Sequence, residues 1–231
     1  MVELYAIKVI NEQWFGLLKP DLLNLLPETV IHNLKRFRNR DALQRNLLGE
    51  VLCRAVLAQK EQISVKDVQT YRKEKGKPFY SDFPQWNFNI SHSAEWVVMG
   101  FSDSELGVDI EKIRTIDYRL AQRFFSEEEN VNLNERKEPE KQIYFFDLWT
   151  IKESYLKFLG KGLTKTLKSF TVHDQNGNFY LKHDCDHRME VFFNQYDIGD
   201  HCRLSVCSGK PGFEKEVRFI TVNELIAYSN T

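Results

Sequence analysis

Hydrophobic and polar positions change period several times along the chain, and each change predicts an element. Residues 2–10 alternate as a first strand. Leu22–Leu26 followed by Pro27 predicts a loop or short helix, and a helix is expected from Pro27 towards Arg40. From Asp41 to about Gln62, Leu47, Leu48, Val51, Leu52, Ala55 and Val56 form one broad apolar face, with Arg45 near the start and off that face. Trp86, Phe88 and Ile90 alternate into a strand that ends at Ser91-His92, and Trp96–Phe101 is its return strand. A polar turn, Asp103-Ser104-Glu105, precedes a strand at Leu106–Glu111. Arg114–Phe125 carries a short helix, and Ser126 before Glu127-Glu128-Glu129 reads as the N-cap of another. Asn134–Glu140 is a polar loop. The next helix runs from about Glu140 to Leu159, with Leu148, Ile151, Tyr155 and Leu159 inward and Gly160 at the stop.

Strands are expected at Ser169–Val172, Phe179–Leu181, Glu190–Phe193, Arg203–Cys207 and Val217–Ile220, with Asn176-Gly177 as a hairpin turn. The order strand, helices, strands thus occurs twice. That predicts an α+β protein of two halves of similar plan, 1–104 and 105–231, with no repeat visible in the letters themselves.

Composition narrows the function classes. The net charge is −1 over 231 residues, which removes any global attraction to nucleic acid and leaves anion binding to local basic clusters. No apolar run approaches the ~18 residues of a membrane span. The segment Met1–Ile7 lacks the cationic start of a signal peptide. Cys53, Cys185, Cys202 and Cys207 have no CxxC spacing, so free thiols in a reducing cytoplasm are expected. His183-Asp184-Cys185-Asp186-His187 reads as a solvated loop rather than a metal tract.

Candidate chemistry lies in four places. Asp109 and Glu111 share one face of their strand, about 6.6 Å apart along it at 3.3 Å per residue. Two carboxylates there repel unless solvated or neutralised, and hard oxygens favour Mg²⁺ or Mn²⁺ over zinc. Trp149, Glu153 and Lys157 lie four residues apart along one stripe of the last long helix. Read alone, Glu153 and Lys157 are a solvated pair worth about 0.3–0.5 kcal/mol. Tyr71-Arg72-Lys73-Glu74-Lys75-Gly76-Lys77-Pro78 is either a hairpin with solvated lysines or a cationic loop that wraps a phosphate. The basic run Lys35–Arg40 is either a solvated helix end or an anion site.

Taken together, Lys75-Gly76-Lys77-Pro78, Asn87–Ser93, Gly107–Lys112, Arg123–Ser126 and Trp149–Leu163 resemble the phosphopantetheinyl transferases of the Sfp type. The G-[VI]-D-x-E strand and the W-x-x-K-E-x-x-x-K-x-x-G-x-G-L helix, about 40 residues apart, are specific as a pair. The resemblance implies the 4′-phosphopantetheinyl transferase fold, two similar subdomains in a pseudo-twofold arrangement with coenzyme A between them. It implies transfer of 4′-phosphopantetheine from coenzyme A to a serine of an apo acyl or peptidyl carrier protein, releasing adenosine 3′,5′-bisphosphate. By matching positions it implies Asp109, Glu111 and Glu153 as Mg²⁺ ligands and Lys157 as a diphosphate contact. It also implies Ser91 and His92 as phosphate contacts, Arg45 at the 3′-phosphate, and Lys75-Gly76-Lys77 beside the adenine. Val30, Ile31 and Asn33 stand where close relatives carry more basic residues.

For the reaction that the resemblance implies, Glu153 is the candidate base for the serine proton, directly or through a metal-bound water, and Lys157 the cation for the leaving phosphate. Phe124-Phe125 is either a docking anchor for the carrier or part of the core. A monomer with no nucleic-acid or membrane partner is expected. The rivals are a nucleotide hydrolase, which the missing P-loop disfavours, and a non-catalytic carrier-binding module, which the intact Asp109, Glu111, Glu153 and Lys157 disfavour.

Overall fold

The computed structural model describes residues 1–72, 76–160, 165–175, 177–184, 190–199 and 201–228. The chain opens with β1 (Glu3–Lys8), α1 (Glu12–Asn24), α2 (Glu28–Leu34) and α3 (Arg40–Glu61). It continues through β2 (Thr70–Arg72), β3 (Pro78–Tyr80), β4 (Asn87–Ser93) and β5 (Trp96–Ser102). The second half runs β6 (Leu106–Lys112), α4 (Arg119–Phe124), α5 (Glu127–Asn134), α6 (Glu140–Leu159), β7 (Phe170–Gln175) and β8 (Asn178–Asp184). It closes with β9 (Phe192–Asp197), β10 (Cys202–Ser208), β11 (Arg218–Ile220) and α7 (Val222–Ala227).

Two sheets meet back to back, each covered outside by one long helix. The first has strand order β11-β1-β5-β4, the second β6-β10-β9. Strand alternation splits each sheet between two cores. Tyr5, Ile7, Val97 and Met99 face α3, where Leu48, Val51, Leu52 and Ala55 receive them. Leu4, Ala6 and Val98 face the other way and pack on Val108, Ile110, Leu204 and Val206 of the second sheet. On the far side of that sheet lies α6, whose Leu148, Ile151 and Tyr155 are fully buried. The α+β plan of two similar halves is therefore present as helix, sheet, sheet, helix. The tail crosses back: β11 pairs parallel with β1, and Val222 and Leu225 of α7 join the first core.

Local chemistry sets the boundaries. Helix α6 stops at Gly160, whose φ of +62° places it in the left-handed region that glycine tolerates best. Ser126 and Glu129 form a reciprocal capping box at α5. Three boundaries differ from the sequence expectation. A 13-residue α1 begins at Glu12, capped by Asn11, where only a loop or short helix near Leu22–Leu26 is expected. Only Phe15 and Leu22 of this helix are buried, and Pro20 lies inside it, so its pattern is faint. Helix α2 ends at Leu34 and α3 starts afresh at Arg40, so Lys35–Arg38 lie in the turn between helices. The strand expected from Glu190 begins at Phe192. Gln175 and Asn178 close the β7–β8 hairpin as expected, with Gly177 at φ +83°; Asn176 lies outside the described residues. Of the tract His183–His187, expected as a loop, His183 and Asp184 instead end β8, and Cys185–His187 lie outside the described residues. Among the described residues Cys53, Cys202 and Cys207 are buried and in no disulfide, and no helix is long and apolar enough to cross a membrane.

Candidate active site

The site forms where β6 meets α6. Gly107 makes that meeting close: a Cβ there would stand 2.0 Å from the Ser154 carbonyl oxygen and 2.3 Å from the Phe158 nitrogen. Only a residue without a side chain lets the α6 backbone lie directly on the strand. One strand step on, Asp109 faces the same helix, and Glu111 one step beyond that.

Asp109 is 5% exposed. Lys157 Nζ, from the last turn of α6, donates to its Oδ1 at 2.6 Å, and Ser91 Oγ of β4 donates to the same oxygen at 3.1 Å. Lys157 also donates to Ser91 Oγ at 2.9 Å. Asp109 Oδ2 is buried without a hydrogen-bond partner. Burial pushes the Asp109 carboxyl above its ordinary value, against the pull of Lys157 and Ser91. Glu111 is raised by burial and then by the Asp109 charge, while Ser93 Oγ holds its Oε2 at 3.0 Å. Glu153, half-buried on α6, is raised by burial and again by Asp109. The solvated Glu153–Lys157 pair considered from spacing is thus not the arrangement of Lys157, whose ammonium crosses to Asp109.

Three hard-oxygen groups whose ionised forms are disfavoured, one with an orphaned oxygen, match the donor chemistry of Mg²⁺ or Mn²⁺. Among the described residues no three acidic, histidine or cysteine side chains already converge as a metal cage. The chemistry of this donor set fits such a cation.

Of the expected anion contacts, Gly76, Lys77 and Lys157 line one cleft, and Arg45 and His92 do not. The protein around the His92 ring, then Arg45 and Lys157, push its pKa down. Arg45 donates to the Ala94 carbonyl at 3.3 Å, bracing the β4–β5 turn. Lys77 is tied to Glu105 at 2.6 Å and to the Leu106 carbonyl at 2.9 Å. Gly76, Lys77, Glu153 and Lys157 line one cleft of about 270 Å³. Lys75 lies outside the described residues. Ser91 is 7% exposed and bonded to Asp109 and Lys157.

The structure adds relations that the sequence reading did not give. A second cavity, of about 570 Å³, adjoins the first through Arg72, Pro78 and Ile90, and carries Arg36 on its wall. Its wall also includes Val30 and Asn33. Lys152, read only as a motif letter, is fully buried and donates to both oxygens of Glu129 at 2.6 and 2.8 Å and to the Phe170 carbonyl at 2.7 Å. Burial pushes its pKa down to about 8, with Glu129 opposing. As for the aromatic pair, Phe125 is wholly buried and so is core rather than a docking anchor. Phe124 is half-buried, edge-on to Trp149 at 5.4 Å, while Leu120 beside it is 41% exposed.

Comparison with known proteins agrees with the motifs. A family model described as "4′-phosphopantetheinyl transferase superfamily" matches residues 105–207, and one described as "4′-phosphopantetheinyl transferase, N-terminal" matches residues 19–103. The 4′-phosphopantetheinyl transferase ffp of Bacillus subtilis is 35% identical over 192 residues, covering 83% of this chain and 86% of its own. The 4′-phosphopantetheinyl transferase Sfp of Bacillus subtilis (strain 168) is 35% identical over 193 residues, with the same coverage of both chains. A solved holo-(acyl-carrier-protein) synthase from Bacillus anthracis, in complex with CoA (3′,5′-ADP), aligns at TM-score 0.39 and 17% identity, over 46% of this chain and 94% of that one. The chain belongs to the 4′-phosphopantetheinyl transferase superfamily, and the transfer of phosphopantetheine to carrier proteins, expected from its motifs, is that family's function.

Proposed function

We propose that the chain moves 4′-phosphopantetheine from coenzyme A to a serine of an apo acyl or peptidyl carrier protein, using Mg²⁺ or Mn²⁺. The single observation that carries this reading is Asp109, a buried carboxylate with a lysine on one oxygen and no partner on the other. Asp109, Glu111 and Glu153 would hold the cation. Bound there, it would neutralise the diphosphate and stabilise charge on the leaving oxygen.

The protein's own groups do the rest. Lys157 exchanges Asp109 for a phosphate oxygen, so its charge serves the diphosphate before and during transfer. Glu153, whose raised pKa brings it nearer neutrality, takes the proton from the serine hydroxyl. The serine oxygen forms a bond to phosphorus, the diphosphate bridge breaks, and adenosine 3′,5′-bisphosphate leaves. His92 and Arg45 meet phosphate. The adjoining cavity takes the adenosine end beside Gly76, with Arg36 and Arg72 supplying cations that Val30 and Asn33 do not. The carrier docks near Phe124 through the exposed Leu120. The halves divide at 104/105, the tail 213–228 belongs with the first half, and the enzyme works as a cytoplasmic monomer.

Incubating the protein with coenzyme A, Mg²⁺ and an apo carrier protein, read by intact mass, tests this reading. The carrier is expected to gain the phosphopantetheine mass with wild type and not with Asp109→Ala. No gain with wild type, or an unimpaired Asp109→Ala, rejects the assignment.

A further inference from the structure

The face of β4 turned towards the second sheet is polar where its neighbours are apolar. On that side β1 and β5 present Leu4, Ala6, Trp96 and Val98 to the inter-sheet core. Strand β4 presents Asn89, Ser91 and Ser93, and the first two are 5% and 7% exposed. Buried polar side chains in such a place need partners. Their partners are the backbone N–H groups of β6 that do not point towards β10. Val108 N donates to Asn89 Oδ1 at 2.8 Å, Ile110 N to Ser91 Oγ at 3.3 Å, and Lys112 N to Ser93 Oγ at 3.1 Å.

The partners advance together by two residues on each strand, so β4 and β6 run in the same direction. The two strands belong to different sheets and share no backbone ladder. Three side chains stand in for one. The two serines do more than join the sheets. Ser91 Oγ, accepting from Ile110, donates to Asp109 Oδ1 at 3.1 Å, and Ser93 Oγ, accepting from Lys112, donates to Glu111 Oε2 at 3.0 Å. Each hydroxyl therefore grips a carboxylate and the peptide just after it. A hydroxyl has one proton and two lone pairs, so one serine can do both at once.

We infer that Asn89, Ser91 and Ser93 form a side-chain ladder that joins the two sheets and sets the orientation of Asp109 and Glu111. Ser93 is a positioning residue for the transfer, acting through Glu111, while Asn89 only joins the sheets. Ser91 is one too, in addition to any contact with phosphate. The role at the carboxylates rests on the cation reading given above; the ladder itself does not. Asn89 supplies an internal comparison, because it holds a β6 amide but neither carboxylate.

Residue-resolved amide hydrogen exchange on the metal-free protein tests the ladder, and Mn²⁺ titration followed by electron paramagnetic resonance tests its effect on the carboxylates. Ser93→Ala is expected to speed exchange of the Lys112 amide at least tenfold, with Val108 unchanged, while Asn89→Ala does the reverse. Ser93→Ala should weaken Mn²⁺ binding about fivefold or more, and Ser93→Thr, which keeps the hydroxyl, should stay within twofold of wild type. Unchanged Lys112 exchange in Ser93→Ala overturns the ladder. Equal Mn²⁺ affinity in Ser93→Ala and wild type overturns the positioning role. Wild type that binds no Mn²⁺ overturns the cation reading, and with it the positioning role, while the exchange data still decide the ladder.

Discussion

Replacing Gly107 by alanine tests how the site is held together. The added methyl would lie 2.0 Å from the Ser154 carbonyl oxygen and 2.3 Å from the Phe158 nitrogen, both backbone atoms of α6. Neither can rotate away, so strand and helix must part by about 1 Å to reach even a tight contact. Overpacking of this kind costs about 1–3 kcal/mol, and rigid backbone on the far side favours the upper end. For a chain of this size that corresponds to a fall in Tm of roughly 6–12 °C at 3 kcal/mol. Catalysis should suffer separately, because Asp109 and Glu111 sit on the strand and Glu153 and Lys157 on the helix. A displacement near 1 Å at a reacting centre costs on the order of 10²-fold in rate. Thermal unfolding together with kcat, measured at a temperature where the variant is fully folded, separates the two effects. A folded Gly107→Ala enzyme within a few-fold of wild-type kcat would refute the claim that this close contact sets the carboxylate spacing.

Three further outcomes follow. Lys152→Ala leaves Glu129 charged and buried, a loss of about 3–5 kcal/mol, and chemical denaturation showing less than 1 kcal/mol would contradict the buried-pair account. Arg45→Ala should weaken coenzyme A by tenfold or so and its 3′-dephospho analogue far less, as for a lost charge-assisted hydrogen bond of about 1.5–3 kcal/mol; calorimetry showing equal losses would remove Arg45 from the 3′-phosphate. Asp147, half-buried on α6, is pushed up to about 6 from 3.8 by burial, although Arg203 Nε stands 3.0 Å away, off the line of a hydrogen bond. The folded chain then holds this proton at pH values where the unfolded chain has lost it, so stability falls as pH rises from about 4 to 6. The stability of Asp147→Asn relative to wild type should therefore improve by roughly 2 kcal/mol between pH 4 and pH 7, and a pH-independent difference would refute the shift.

What was legible in the sequence is what depends on periodicity and on strong local signals. Helices α3 and α6 have long apolar faces, and Gly160 marks a stop that needs only its own φ. The alternation of Val108 and Ile110 with Asp109 and Glu111 placed the carboxylates on one face. Helix α1 was not legible, since it buries only Phe15 and Leu22 and carries a proline inside. Interactions between distant segments were not legible either. No spacing rule links Asn89, Ser91 and Ser93 to β6 amides nearly twenty residues on, and no local signal distinguishes Lys152, buried on Glu129, from Lys157, which opens onto the cleft. Phe124 and Phe125 look alike as letters, and only packing sends one ring fully inside. The return of β11 to β1 is likewise a matter of topology, invisible in a three-residue strand.

The central claim is that the carboxylates of β6 and α6 perform the transfer rather than merely pair charges on a surface. Glu153→Gln tests it most directly, because the change keeps the shape and removes the base. Carrier modification is followed by intact mass to give kcat, with coenzyme A affinity measured by calorimetry on the same preparation. The account expects kcat to fall by about 10²–10⁴-fold while coenzyme A affinity stays within a few-fold. A Glu153→Gln enzyme that modifies the carrier within a few-fold of the wild-type rate would contradict it.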